Sequence, residues 1–180
     1  MKSLYFIQHD QFSTYVVPAL DSEDAFYTIE STIYPDGLRT SDILKMPENP
    51  GKAGLQLASV SYLNWSDTVV TFGARSFDLN AFLRRTNNAS TSRLFVGPDS
   101  QTYKWSIRGK GLELHNADSH ELIVRSYPAK EAMLFSKQRH ALLEIAKEHL
   151  TDDLKLPHVI IITYSIMQYK LDGRLKYRYP

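Results

Sequence analysis

Short runs of alternating apolar and polar residues occupy most of this chain, and one long run near its end does not alternate at all. Leu4 to Ile7, Thr14 to Val17 and Ala25 to Ile33 carry the aromatic and β-branched residues that suit a pleated surface, and they predict three strands. Tyr34, Pro35, Asp36 and Gly37 make a turn by their chemistry: proline fixes φ, aspartate bonds its own backbone and glycine tolerates a positive φ. From Thr40 to Gly54 the breakers Pro47, Pro50, Gly51 and Gly54 predict a long loop. Leu55 to Leu63 and Asp67 to Gly73 then predict two strands joined through Asn64, Trp65 and Ser66, each with one buried and one wet face.

Ser76 to Arg84 fits either a strand or a short helix, and Arg84 to Ser92 reads as a polar connection. Four strands follow at nearly regular spacing: Arg93 to Val96, Thr102 to Arg108, Gly111 to Asn116 and Glu121 to Tyr127. Their turns fall at Gly97-Pro98-Asp99, at Gly109-Lys110-Gly111 and at Asn116-Ala117-Asp118. Met133 to Ser136 and His140 to Ala146 suggest two more, although the second also suits a helix by propensity.

The run that breaks the alternation is Leu156 to Met167. It has no polar stripe at helical spacing, so a helix here is buried on every side. Pro157 suits a first helical turn, Asp152 and Asp153 lie near the positive end of the dipole and Lys170 near the negative end, which predicts a helix over about 157–170. Asp172 and Gly173 are expected to stop it. The β-branched residues Val159 to Ile162 keep a buried strand open as the alternative. The fold class expected is mainly β, one domain over residues 1–180, enclosing its own C-terminal helix.

Length and charge narrow the function. At 180 residues the chain can bury a substantial core without cross-links. A net charge of +1 removes the global electrostatic argument for nucleic acid. The absence of cysteine excludes disulfides, thiolate metal sites and cysteine nucleophiles. No apolar run reaches the roughly 18 to 20 residues a membrane-crossing helix needs. Met1 to Asp10 reads as a first strand rather than a secretory signal, so the sequons at Asn64 and Asn88 are not expected to be used, and the expected location is cytoplasmic, peripheral at membranes.

Catalytic constellations are not visible. His115 and His120 flank a turn that also holds Asp118, but a third metal ligand is not evident, so no metal site is expected. There is no Gly-x-Ser-x-Gly elbow or phosphate-cradling glycine loop. The expectation is a binding module rather than an enzyme, with no cofactor. Its alternatives are a protein-interaction or structural domain using the 40–54 loop or an edge strand, and a hydrolase built around His115 to Glu121.

The most suggestive surface is basic and aromatic: Lys170, Arg174, Lys176 and Arg178, interleaved with tyrosines, extended by Lys104 and Arg108 on one strand face and by Arg84 and Arg85. Anionic lipid headgroups are the partner this pattern suits; a solvated tail alternating as a terminal strand is the plainer reading. Tyr103 and Trp105 share the face opposite Lys104, which points to the core.

The block Leu94 to Trp105, followed by Leu112 to Leu114, Ile123 to Tyr127, Leu143 to Ile145 and Ile160 to Lys170, resembles a family of fungal proteins of unknown function. That family lies in the superfamily of tubby C-terminal-like domains, with phospholipid scramblases and LURP-one-related proteins. The resemblance covers roughly Arg93 to Arg174 and implies a closed antiparallel barrel of about twelve strands around a C-terminal helix. This chain departs from the family pattern in carrying Gln168 where an acidic residue is expected and in a thinner basic cluster after it.

Overall fold

The computed structural model describes residues 1–8, 13–20, 25–47, 52–62, 67–87, 90–129, 140–149 and 155–176. The expected turn at Asn64 to Ser66 with Trp65, the sequon residue Asn88, the strand at Met133 to Ser136, the acidic pair Asp152 and Asp153, and Arg178 lie outside them.

Among the described residues, alternation along the chain becomes one antiparallel sheet of thirteen strands. The first half supplies β1 (Lys2–Gln8), β2 (Ser13–Val17), β3 (Tyr27–Ile33), β4 (Arg39–Lys45), β5 (Leu55–Tyr62), β6 (Val69–Phe72) and β7 (Arg75–Asp78). A one-turn helix α1 (Leu79–Phe82) leads to β8 (Arg84–Arg85), β9 (Arg93–Val96), β10 (Thr102–Arg108), β11 (Gly111–Asn116), β12 (Leu122–Tyr127) and β13 (Ala141–Ile145). The order across the sheet is β7-β6-β5-β4-β3-β2-β1-β13-β12-β11-β10-β9-β8. Two meanders therefore meet where β1 pairs with β13, Leu4 opposite Leu143 and Tyr5 opposite Leu142.

Three expectations are corrected. Residues 40–54 are not all loop, because β4 occupies the first part; the breakers all follow Lys45, while Ser41 and Ile43 keep a period of two and are buried. The residues between β3 and β4 are the expected turn: Gly37 sits at φ +86, its amide bonds the Tyr34 carbonyl at 3.0 Å, and Asp36 accepts from the Leu38 amide at 3.0 Å.

The second correction concerns closure. The sheet has thirteen strands and two ends, β7 and β8, with no hydrogen-bonded ladder between them among the described residues, so it is not the closed barrel of about twelve strands that was expected. The chain itself crosses from one end to the other through α1. Asp78 caps that turn, accepting from the amides of Asn80 and Ala81 at 2.7 and 3.2 Å, and Leu79 and Leu83 are buried beneath it.

Third, α2 spans Leu156–Lys176 and does not stop at Gly173. The Gln168 amide donates to the Asp172 carboxylate at 2.9 Å, an i,i+4 bridge that favours helix where a single glycine costs only about 1 kcal/mol. Arg174 and Lys176 thus lie on the last turns of a helix, not on a terminal strand.

The helix is dry on all sides through its middle: Ile160, Ile161, Ile162, Thr163, Tyr164, Ile166 and Met167 are all buried. Its partners come from strands far apart in the sheet. Phe6 of β1 packs on Tyr164 at 4.9 Å between ring centroids, Trp105 of β10 bonds Thr163, and Tyr62 of β5 meets Tyr169 at 4.3 Å. Only a strongly curved sheet can touch one helix from the third and the eleventh of its thirteen strands, so the helix fills the concave side. Among the described residues no helix is long and apolar enough to cross a membrane, which says nothing of strands.

Candidate binding surface

Strand direction decides which basic residues meet. Neighbouring strands alternate in direction, so β5 and β10, eight places apart, run the same way. β5 ends at Tyr62 beside Tyr169, near the C-terminal end of α2, whereas Tyr27 at the start of β3 bonds His158 near the other end at 3.0 Å. β10 therefore runs with the helix, and Arg108, three residues beyond Trp105, lies toward the helix C-terminus. The hairpin tip that follows it, Gly109 at φ +59 with Lys110, stands at the same end. Lys170 is half-buried there, and the backbone of Arg174 and Lys176 continues the helix outward.

Lys104 does not join this group. It shares the outer face of β10 with Arg108, as its even spacing predicts, but four residues separate them by about 13 Å. Its register neighbours are His115 and Leu94, and beyond Leu94 stands Arg84. Tyr103 and Trp105, on the opposite face, are both wholly buried.

Arg108 is exposed but not alone. Its Nε lies 3.7 Å from Glu113, which also accepts from Arg125 Nε at 3.1 Å and lies 3.3 Å from His115 Nε2. These groups border a shallow cavity of about 250 Å³ lined by Arg108, Lys110, Glu113, Arg125 and Tyr127. Partial burial pushes the Glu113 carboxyl up, but the bonds from His115 and Arg125 and their charges outweigh it and hold the group below its ordinary value. One carboxylate shared by two guanidiniums leaves the cavity with positive charge to spare.

Sequence reading missed Arg39. It starts β4, opposite Ile33 on β3 and Tyr62 on β5, and all three face the concave side beyond the last buried layer of α2. Its Nη2 donates to Ser31 Oγ at 3.0 Å, Ser31 and Ser41 share a buried hydroxyl contact of 2.8 Å, and the guanidinium lies 5.7 Å from the Tyr169 ring centre. Burial pushes the Tyr62 phenol well up, with the nearby Arg39 charge partly offsetting it. The rim around them is apolar and wet: Ile33 is 57% exposed, Tyr34 46% and Tyr169 42%. The signal was present in the period of two that runs from Ile43 through Ser41 to Arg39.

The histidine turn holds His115 in a set of short contacts. His115 Nδ1 faces the His120 carbonyl at 3.2 Å and its Nε2 faces Glu113, so both ring nitrogens have structural partners. Asn116 caps the turn, accepting from the amides of Asp118 and Ser119 at 2.9 and 3.0 Å. Glu121 instead approaches Glu148 and His149, with one ligand atom from each within 4.8 Å of the others. Both glutamates are solvent-exposed and His149 is half-buried, and exposed acidic groups commonly gather without an ion.

No curated protein and no solved structure matches the chain. The sequence model of one family of unknown function matches residues 11–172. On that match, which takes in every strand from β2 to β13 and most of α2, the chain belongs to the family of unknown function DUF6593.

Proposed function

We propose that this chain is a non-enzymatic binding module, acting at the cytoplasmic side of membranes, that contacts anionic lipids through the end of the sheet where α2 terminates. One observation carries the reading. Arg39, Arg108, Lys110 and the last turns of the helix come to that end together with the exposed apolar residues Ile33, Tyr34 and Tyr169. Basic groups beside apolar ones suit a membrane interface, where each Lys or Arg near an anionic surface contributes about 1 kcal/mol and inserted side chains add burial. The helix dipole alone also favours cations at its C-terminus, but it does not account for Arg39 or Arg108, which belong to strands.

The test is cosedimentation with vesicles of phosphatidylcholine alone or with added phosphatidylserine and phosphoinositide, at low and physiological salt. Binding restricted to the anionic vesicles, weakened by salt and by joint replacement of Arg108, Lys110, Arg174 and Lys176 with Gln, is expected. Binding indifferent to both would remove the lipid reading. It would favour a protein partner at the open edge of β7, whose four residues are all exposed.

A further inference from the structure

We propose that the cavity at the β10–β11 tip seats a phosphodiester, the charged group of an anionic lipid, against Arg108, Lys110 and Arg125; this rests on the lipid-binding function proposed above and names the group and its seat. The cavity opens on the outer face of β10 to β12, whereas Arg39 faces the concave side. Three cations border it. Both oxygens of Glu113 are already engaged, Oε1 by Arg125 and Oε2 by His115, with Arg108 Nε 3.7 Å away. Lys110 stands exposed at the tip and has no ion pair among the described residues.

The backbone fixes where these cations stand. Gly111 runs so close to β12 that a Cβ there would meet the Ser126 carbonyl oxygen at 2.5 Å, and the Leu112 amide donates to Ser126 Oγ at 2.7 Å. The tip is thereby tied to β12, and Tyr127 and Pro128 wall the remaining side. Charge then sets the ligand class. Glu144 also stands near, opposite Arg125 on β13 and accepting from the Tyr127 hydroxyl at 3.0 Å. Two carboxylates set against three cations leave one positive charge, which a monoanion balances and a phosphomonoester of nearly two charges exceeds. The donors come from two strands and a hairpin tip, an arrangement that a tetrahedral phosphate meets better than a planar carboxylate.

The probes are glycerophosphoglycerol, the soluble diester headgroup of phosphatidylglycerol, with acetate and inorganic phosphate for comparison, and vesicles of phosphatidylcholine with or without phosphatidylglycerol. Glycerophosphoglycerol is expected to shift the backbone amides of Lys110, Gly111 and Arg125 and to saturate. Lys110→Gln, on the exposed tip, is expected to weaken its binding about fivefold, the share of one cation. Arg125→Gln, which lies outside the residues replaced in the test above, should weaken vesicle binding by a similar factor. Glu113→Gln frees both guanidiniums and should tighten binding by about as much, while Glu121→Gln, the same charge change at the other end of β12, should leave it within about twofold of wild type.

Acetate shifting the same amides as strongly would overturn the phosphodiester, and tighter binding of inorganic phosphate would overturn it in favour of free phosphate. Short single-stranded DNA bound with the same dependence on Lys110 would overturn the lipid as its source. Unchanged binding in Lys110→Gln, Arg125→Gln and Glu113→Gln would overturn the cavity. Salt-sensitive vesicle binding that survives in that case would leave the lipid reading standing, and no binding to phosphatidylglycerol vesicles would remove both.

Discussion

Two layers along α2 are built from the same materials and finished differently. At the middle of the helix Trp105 donates from Nε1 to Thr163 Oγ1 at 2.9 Å, and that hydroxyl in turn donates to the Val159 carbonyl at 2.7 Å. Trp105 and Thr163 are both wholly buried, and Tyr164 lies beside them. At the helix end an aromatic pair, Tyr62 and Tyr169, again meets a polar group from a strand, but there the group is Arg39, with a buried donor left unpaired. A closed polar network specifies a fold; an incomplete one beside an open rim leaves a strand cation short of partners.

Emptying the first layer gives the largest effect. Trp105→Ala is expected to cost about 3 to 5 kcal/mol in chemical denaturation, since it removes the largest wholly buried side chain among the described residues and leaves a cavity against the helix. Thr163→Val keeps the shape and strands the indole N–H, which should cost about 1 to 3 kcal/mol. Arg39→Gln is expected to change stability by less than about 1 kcal/mol, because the lost bond to Ser31 is offset by relief of the unpaired Nε. A loss as large as that of Thr163→Val would make Arg39 a structural residue and erase the contrast between the layers.

The smallest effect lies outside both layers, at Glu113. Its carboxyl is held below the ordinary value when folded, so it contributes stability above that value of 4.5, and the contribution is lost as pH falls through the lowered folded value. Glu113→Gln should therefore flatten the acid side of the stability profile, by well under about 1 kcal/mol for a surface network, while leaving neutral pH nearly unchanged. Melting curves of both proteins from neutral pH to about pH 3 would show it.

How legible each layer was follows from where its information lies. The strands from β9 to β12 were readable because Gly97, Gly109 and Asn116 mark every reversal, and the inward face of β10 followed from parity alone. The buried helix was readable because its apolar residues leave no wet stripe. Its far end was not, because Gly173 is a weak stop signal and the Gln168 to Asp172 bridge opposes it. β4 was hidden by the weight given to breakers that follow it. The Arg39 layer depended on something no local pattern contains: the register of three strands, and the place where a helix more than a hundred residues later runs out.

The most direct test of that contrast is a chemical-shift map of the wild-type chain titrated with inositol trisphosphate. The account predicts that the amides of Ser31, Arg39 and Tyr169 shift together and saturate, while the Trp105 indole N–H stays in place. Shifts confined to the Arg108 to Glu113 hairpin, or reaching Trp105 as strongly as Arg39, would contradict it.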